Sequence, residues 1–126
     1  MHKARLIGTI SNAVSKALGK EGHFYKPGER IYLGDRNIKH MKQRHLLVYI
    51  KYNDRLSQII AEPDYVGIND EDGSLMYVKL FEDHVKLVVR VAGDEKLYIR
   101  TMYTVYKSRT EDSVKSGKLK PLTKES

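Results

Sequence analysis

Apolar residues recur at helical spacing through the first half of the chain, and beyond residue 66 they recur at every second position. Between residues 3 and 18, Leu6, Ile7, Ile10, Val14, Ala17 and Leu18 fall on one helical face, with Arg5, Asn12, Ser15 and Lys16 on the other. Gly19 stands where such a helix would be capped. Pro27-Gly28 marks a turn, and Ile31-Tyr32-Leu33 reads as a short strand or an extended lead-in. Asp35 suits the N-cap of a helix over residues 35–52, whose apolar face is Ile38, Met41, Val48, Tyr49 and Tyr52. Asp54 suits the cap of a further helix running through Leu56, Ile59 and Ile60 to Glu62, which Pro63 stops.

Residues 75–81, 85–92 and 96–106 then read as three strands, with Glu82-Asp83 and Gly93-Asp94 as tight turns. In the middle strand Val85, Leu87, Val89 and Val91 alternate with Lys86, Val88 and Arg90. In the last, Leu97, Ile99, Thr101, Tyr103 and Val105 alternate with Tyr98, Arg100, Met102, Thr104 and Tyr106. The expected class is α+β: N-terminal helices packed on one face of a three- to four-stranded antiparallel meander. The 126 residues form one expected domain, with an amphipathic helix at 3–18, a core at 31–106 and a Lys- and Ser-rich, partly mobile tail at 107–126.

Composition narrows the function classes. There is no cysteine, which removes disulfides, thiolate zinc sites and catalytic thiols. No run approaches the ~18 apolar residues of a membrane span, and no leader pattern opens the chain, so a cytoplasmic protein without a membrane partner is expected. Lysine and arginine total 23 against 16 acidic residues, a formal net charge of +7. The resulting pI near 9.5 favours a polyanion, RNA above all, although an acidic protein or a charged surface would give the same imbalance.

Chemistry gathers around His40-Met41-Lys42-Gln43-Arg44-His45. At ~100° per residue His45 lands in the middle of the apolar helix face and points inward, while His40 and Arg44 lie to its side. Thr101 and Tyr103 share the strand face of Leu97, Ile99 and Val105, so they are expected to meet the helix there. Lys79 shares a face with Tyr77 and Phe81. Cleaving RNA without a metal needs a base for the 2′-hydroxyl, an acid for the 5′ oxygen, and donors for the charge on phosphate. Histidine fills either proton role, arginine forks onto phosphate, and Thr and Tyr hydroxyls position it. The same residues also fit a hydrogen-bonded core histidine, a solvated helix face and well-packed strand residues. Tyr98, Tyr103 and Tyr106 equally suit base stacking. Zinc fits poorly, because His40 and His45 project ~140° apart on a helix. No cofactor is implied.

The segment Ile38-Lys39-His40-Met41-Lys42-Gln43-Arg44-His45 resembles the histidine–arginine–histidine helix of the phage-associated barnase–EndoU–colicin–RelE-like nucleases. Pro63-Asp64-Tyr65-Val66, Tyr77-Val78-Lys79 and Thr101-Met102-Tyr103 follow in that family's order, and the resemblance covers residues 31–106. It implies a toxin-like, metal-independent endoribonuclease with its active site in a cleft on the sheet, acting on RNA, tRNA included. It places catalytic roles on His40, His45, Lys79, Thr101 and Tyr103, with Arg44 or Arg100 as a phosphate contact; Arg90 is a further expected RNA or phosphate contact. A toxin-like activity implies a cognate acidic inhibitor. Relatives often carry proline after the second histidine; Leu46 stands there, so the helix is expected to continue. The alternative is a non-catalytic RNA- or protein-binding module of a phage or mobile element on the same fold.

Overall fold

The computed structural model describes residues 3–122. Strand β1 (Ala4–Thr9) leads into helix α1 (Asn12–Leu18), a short 3-10 turn at Gly19–Gly22, and β2 (Arg30–Gly34). Three helices follow, α2 (Asp35–Arg44), α3 (Leu46–Tyr52) and α4 (Leu56–Ala61). Then come β3 (Tyr65–Ile68), β4 (Leu75–Leu80), β5 (His84–Val91), β6 (Leu97–Val105), helix α5 (Lys107–Lys115) and β7 (Lys120–Pro121). One sheet holds all seven strands in the order β1-β2-β6-β5-β4-β3-β7.

The antiparallel meander β4-β5-β6 is the expected one, and β3, not foreseen as a strand, pairs antiparallel with β4. The sheet is nonetheless larger than three or four strands, and it is mixed: β2 runs parallel to β6 through Ile31 and Tyr32. The expected helix over residues 3–18 is half strand. Residues 4–9 pair antiparallel with β2, and Gly8 sits so close to α4 that a Cβ there would press on the Ile60 side chain. Helix α1 starts only after Ser11, whose hydroxyl accepts the Val14 N–H at 3.1 Å. Val14 and Leu18 are buried as the helical pattern required, whereas Leu6 stays half exposed.

Helices α1 to α4 share one core with the inner sheet face, built from Val14, Leu18, Met41, Ile59 and Ile60 against Tyr77, Leu87 and Ile99. The other face is not bare, which corrects the one-sided arrangement. Val114 of α5 and Leu119 beyond it pack on Met76 and Val78. The expected mobile tail is therefore an ordered helix and edge strand as far as residue 122, and its last four residues lie outside the described ones. Leu119 delivers its side chain because β3 has glycine at residue 67: a Cβ there would collide with the Lys118 carbonyl.

Among the described residues no helix is long and apolar enough to cross a membrane. The Gly67→Ala substitution is expected to lower stability by about 1–3 kcal/mol through overpacking of β3 against the Lys118 backbone. Urea unfolding followed by far-ultraviolet circular dichroism checks this, and an unchanged midpoint would show that the C-terminal segment is not seated there.

Candidate active site

Strands β5 and β6 do not pair evenly. Val89 faces Ile99 but Val88 faces Thr101, so Arg100 is one residue too many on β6, a β-bulge. The extra residue reverses the alternation. Leu97 and Ile99 before it, and Met102 after it, all enter the helix-covered core. Thr101, Tyr103 and Val105 turn to the opposite face, level with Val88, Lys86 and His84. The expectation that Thr101 and Tyr103 share the face of Leu97 and Ile99 is corrected by this bulge.

Tyr103 is the centre of what gathers there. Its cross-strand partner Lys86 holds Nζ 5.9 Å from the ring centroid. On the other side of β6 the ladder to β2 ends at Tyr98, and the α2–α3 junction packs beside the unpaired stretch. That junction is His45, with φ −141° and ψ 51°, so residues 35–52 form two helices rather than one. The His45 ring lies 5.6 Å from the Tyr103 ring, centroid to centroid, tilted by 32°. No proline or glycine marks the break. A continuous helix would carry the imidazole into the apolar face of Met41, Val48 and Tyr52, where an ionisable ring is costly to desolvate; the break moves it to the strand edge, half buried.

Helix α5 supplies the third side. Thr110 is buried, and its Oγ1 lies 3.1 Å from His84 Nδ1 at the start of β5. This anchor brings the neighbouring Arg109 into an open cleft of about 420 Å³, which Lys86, Tyr103, Val105 and Lys118 also line. Asp70 and Glu71, from the β3–β4 loop, add carboxylates to the same cleft.

The site's electrostatics follow from burial and crowded cations. Partial burial, aided by the charges of His40 and Arg44, lowers the His45 pKa from the ordinary 6.5, so the ring is neutral near pH 7. Burial, then the Arg109 guanidinium, lowers the Lys86 pKa. Burial raises Tyr103, with Asp72 adding to the rise and Arg109 opposing it, so its phenol stays a donor. Among the described residues no three His, Asp or Glu side chains form a metal-ligand group.

The other sequence-derived candidates are placed differently. His40 and Arg44 are exposed on α2, near enough to His45 for their charges to act on it. Thr101 Oγ1 is sealed from solvent and has no hydrogen-bond partner, so as placed it cannot touch a diffusing substrate. Lys79 lies on the helix-covered face: its Nζ donates to the Glu62 carbonyl at 2.6 Å and approaches the Asp64 carboxylate at 3.9 Å. Asp64 in turn accepts the Leu80 N–H at 2.7 Å. Pro63-Asp64 and Lys79 thus belong to one clasp joining α4, β3 and β4. Arg100 occupies the bulge and pairs with Asp72 at 3.3 Å, and Arg90 stands cross-strand from Tyr98.

Sequence reasoning did not select Lys86 or Arg109. Lys86 carried a signal, as one of two cations, with Arg90, among the valines and leucines of β5. Arg109 lay in a segment whose polar composition resembled a tail.

An α+β domain that sets a tyrosine and several cations on one sheet face, with a histidine at the strand edge beside them, presents a surface suited to a polyanion. The chain belongs to the family described as phage-Barnase-EndoU-ColicinE5/D-RelE like nuclease3, whose model matches residues 5–112. That match takes in most of β1 and of α5, beyond the 31–106 of the motif resemblance, and includes His45, Lys86, Tyr103 and Arg109. No curated protein and no solved structure matches the chain.

Two substitutions separate support from chemistry. Lys79→Met is expected to weaken the fold by about 1 kcal/mol as its hydrogen bond to the Glu62 carbonyl disappears, while turnover per folded molecule holds. A rate loss with unchanged thermal midpoint would put Lys79 in the chemistry after all. Thr101→Val removes an unpartnered buried hydroxyl and is expected to leave stability unchanged or raise it by about 1 kcal/mol. A large fall in nuclease rate in a protein of wild-type stability would contradict the sealed placement of Oγ1.

Proposed function

We propose that this nuclease-family domain is a metal-independent endoribonuclease, toxin-like in role, which cleaves RNA by attack of the 2′-hydroxyl on the adjacent phosphodiester. The observation that carries the reading is the convergence of His45, Lys86 and Arg109 on Tyr103 beside an open cleft. Neutral His45 takes the proton from the 2′-hydroxyl. The 2′ oxygen bonds to phosphorus, and the bond from phosphorus to the 5′ oxygen breaks to leave a 2′,3′-cyclic phosphate. Tyr103 donates a proton to the departing 5′ oxygen; afterwards it regains one from solvent while His45 releases its own there, so both return to their starting states. Lys86 and Arg109 face the charge that grows on the phosphoryl oxygens, where fixed cations lower the barrier most. Partial burial, helped by the charges of His40 and Arg44, keeps His45 unprotonated, and those two side chains add attraction for the strand. RNA, tRNA included, is the substrate class, the cytoplasm the place of action, and an acidic protein the fitting inhibitor for so basic a surface.

The test is cleavage of a defined RNA in the presence of a metal chelator, with products read for cyclic phosphate ends. His45→Ala is expected to slow turnover by about 10²–10⁴-fold, the usual range for removal of a general base. Lys86→Ala and Tyr103→Phe are expected to slow it as well, with thermal midpoints showing that the variants fold. Intact RNA at stoichiometric wild-type protein, together with salt-sensitive RNA binding, would select the non-catalytic module instead.

The pH profile has a determined sign. Because the base must be neutral and its pKa lies below 6.5, activity should rise with pH on a limb centred below 6.5. It should fall again below pH 10.5, as Lys86 with its lowered pKa loses its charge. An acid limb centred above 6.5, or one that survives in His45→Ala, would take the base role away from His45.

A further inference from the structure

A second groove, of about 520 Å³, lies where the start of α2 meets the β5–β6 turn. Arg36, Arg90 and Arg100 line it, and so does the ring of Tyr98. Arg90 and Tyr98 are cross-strand partners on the sheet face that carries Lys86 and Tyr103. Four residues along β5 separate Arg90 from Lys86, about 13 Å at strand rise. The two openings therefore lie along one line on one face, with the bulge between them.

The groove's polar groups are unequally committed. The Tyr98 hydroxyl donates to Asp94 at 2.7 Å, which fixes the ring while leaving the groove wall aromatic. Behind it lies Gly34, where a Cβ would stand at ordinary contact distance from the Tyr98 ring. Arg100 is paired with Asp72. Arg36 and Arg90 have no carboxylate within salt-bridge distance among the described residues. Asp35 also lines the groove, and Asp94 is already engaged by Tyr98 and by the Lys96 N–H. Two guanidinium groups without a salt-bridge partner, Arg90 acting on the Asp72 carboxylate only at longer range, stand beside a fixed aromatic ring and match one nucleotide: phosphate on the arginines, base on the ring.

We propose that this groove is a nucleotide subsite, and that the substrate is single-stranded RNA laid along β5 and β6 with one unpaired base on Tyr98. The proposal rests on the cleft being the site of RNA cleavage. Stacking on Tyr98 requires a base free of its complement, because a duplex keeps its base faces covered. The subsite thus selects unpaired segments over helical ones.

The experiment is equilibrium binding of a fluorescent, uncleavable 2′-O-methyl dodecaribonucleotide to the full chain, as single strand and annealed as a duplex. Wild type is expected to favour the single strand. Tyr98→Leu should raise the single-strand Kd about tenfold, within the range for removing the ring under one stacked base. The doubly substituted Arg36→Gln/Arg90→Gln protein, altered only at exposed positions, should also bind more weakly. Its salt slope should shrink by about 0.7 for each phosphate that is no longer neutralised. Single-strand affinity equal to wild type in both variants, or a wild type that prefers the duplex, overturns the subsite. Cleavage by wild type is scored separately. If it cleaves RNA while both variants bind normally, the function stands and the subsite falls. If it cleaves nothing but the variants lose single-strand binding, the subsite stands and the catalytic reading falls.

Discussion

The bulge at Arg100 is the constraint on which the rest of the molecule turns. With regular pairing, a strand that buries Leu97 and Ile99 would also bury Thr101 and Tyr103, and would expose Met102. One extra residue lets the same strand serve the core at three positions and the cleft at two. A disrupted ladder bond costs about 0.5–1.5 kcal/mol, whereas burying Met102 contributes about 1.5–3 kcal/mol. The balance favours the bulge before any function is considered, and it spares the Tyr103 phenol from a core that already holds the unpartnered Tyr77 hydroxyl.

This also explains how much could be read in advance. The meander, its turns and the helical face of α1 and α4 were legible, because periodicities of two and 3.6 are local properties. The pieces of the site were partly legible too: His45 and Tyr103 do meet, within 5.6 Å between centroids. The bulge was not legible, since residues 97–105 alternate without interruption and only the pairing with β5 reveals the slip. Nor was the split at His45, which arises from where the imidazole would otherwise be buried and carries no glycine or proline signal. Strand β1 was hidden for a different reason. Leu6, Ile7 and Ile10 satisfy a helical pattern by themselves, and the preference for strand comes from the free edge of β2. Lys79 shows the opposite case: a polar residue among apolar neighbours suggested chemistry, and its Nζ holds a backbone carbonyl.

The cleft depends on chain segments far apart in sequence, and each is fixed by an interaction of its own. Helix α5 is tied to β5 by the buried contact of Thr110 with His84, and the stretch beyond α5 by Leu119 over Gly67. These place Arg109 and Lys118 opposite a sheet whose own cation is Lys86. Concentrating positive charge in this way opposes folding, and the partial burial of Lys86 makes it worse; Asp70 and Glu71 stand in the same cleft. Nearby carboxylates offset the repulsion in the empty protein, and an arriving phosphate would take over that role.

His45 is held by a less obvious route, and the magnitudes decide which part of it matters. Helix α3 is fastened at its far end to the β4–β5 turn, where Lys51 and the Tyr52 hydroxyl both reach Asp83, at 2.9 and 2.7 Å. The ion pairs there are exposed, so solvent screening leaves them little influence on where the helix lies. Tyr52 itself is 2% exposed and stacks on Phe81 at 5.1 Å between centroids. Such a pair contributes about 0.5–1.5 kcal/mol beyond the area it buries. The aromatic pair therefore sets the position of α3, and the hydroxyl bond to Asp83 sets its rotation. At the near end, the His45 N–H closes the last turn of α2 on Met41 while its carbonyl opens α3 by accepting from Tyr49. The imidazole is thus carried on a junction whose two sides are each anchored in the core, through Met41 and through Tyr52. An imidazole so mounted has little freedom to swing, which suits the base role proposed for it.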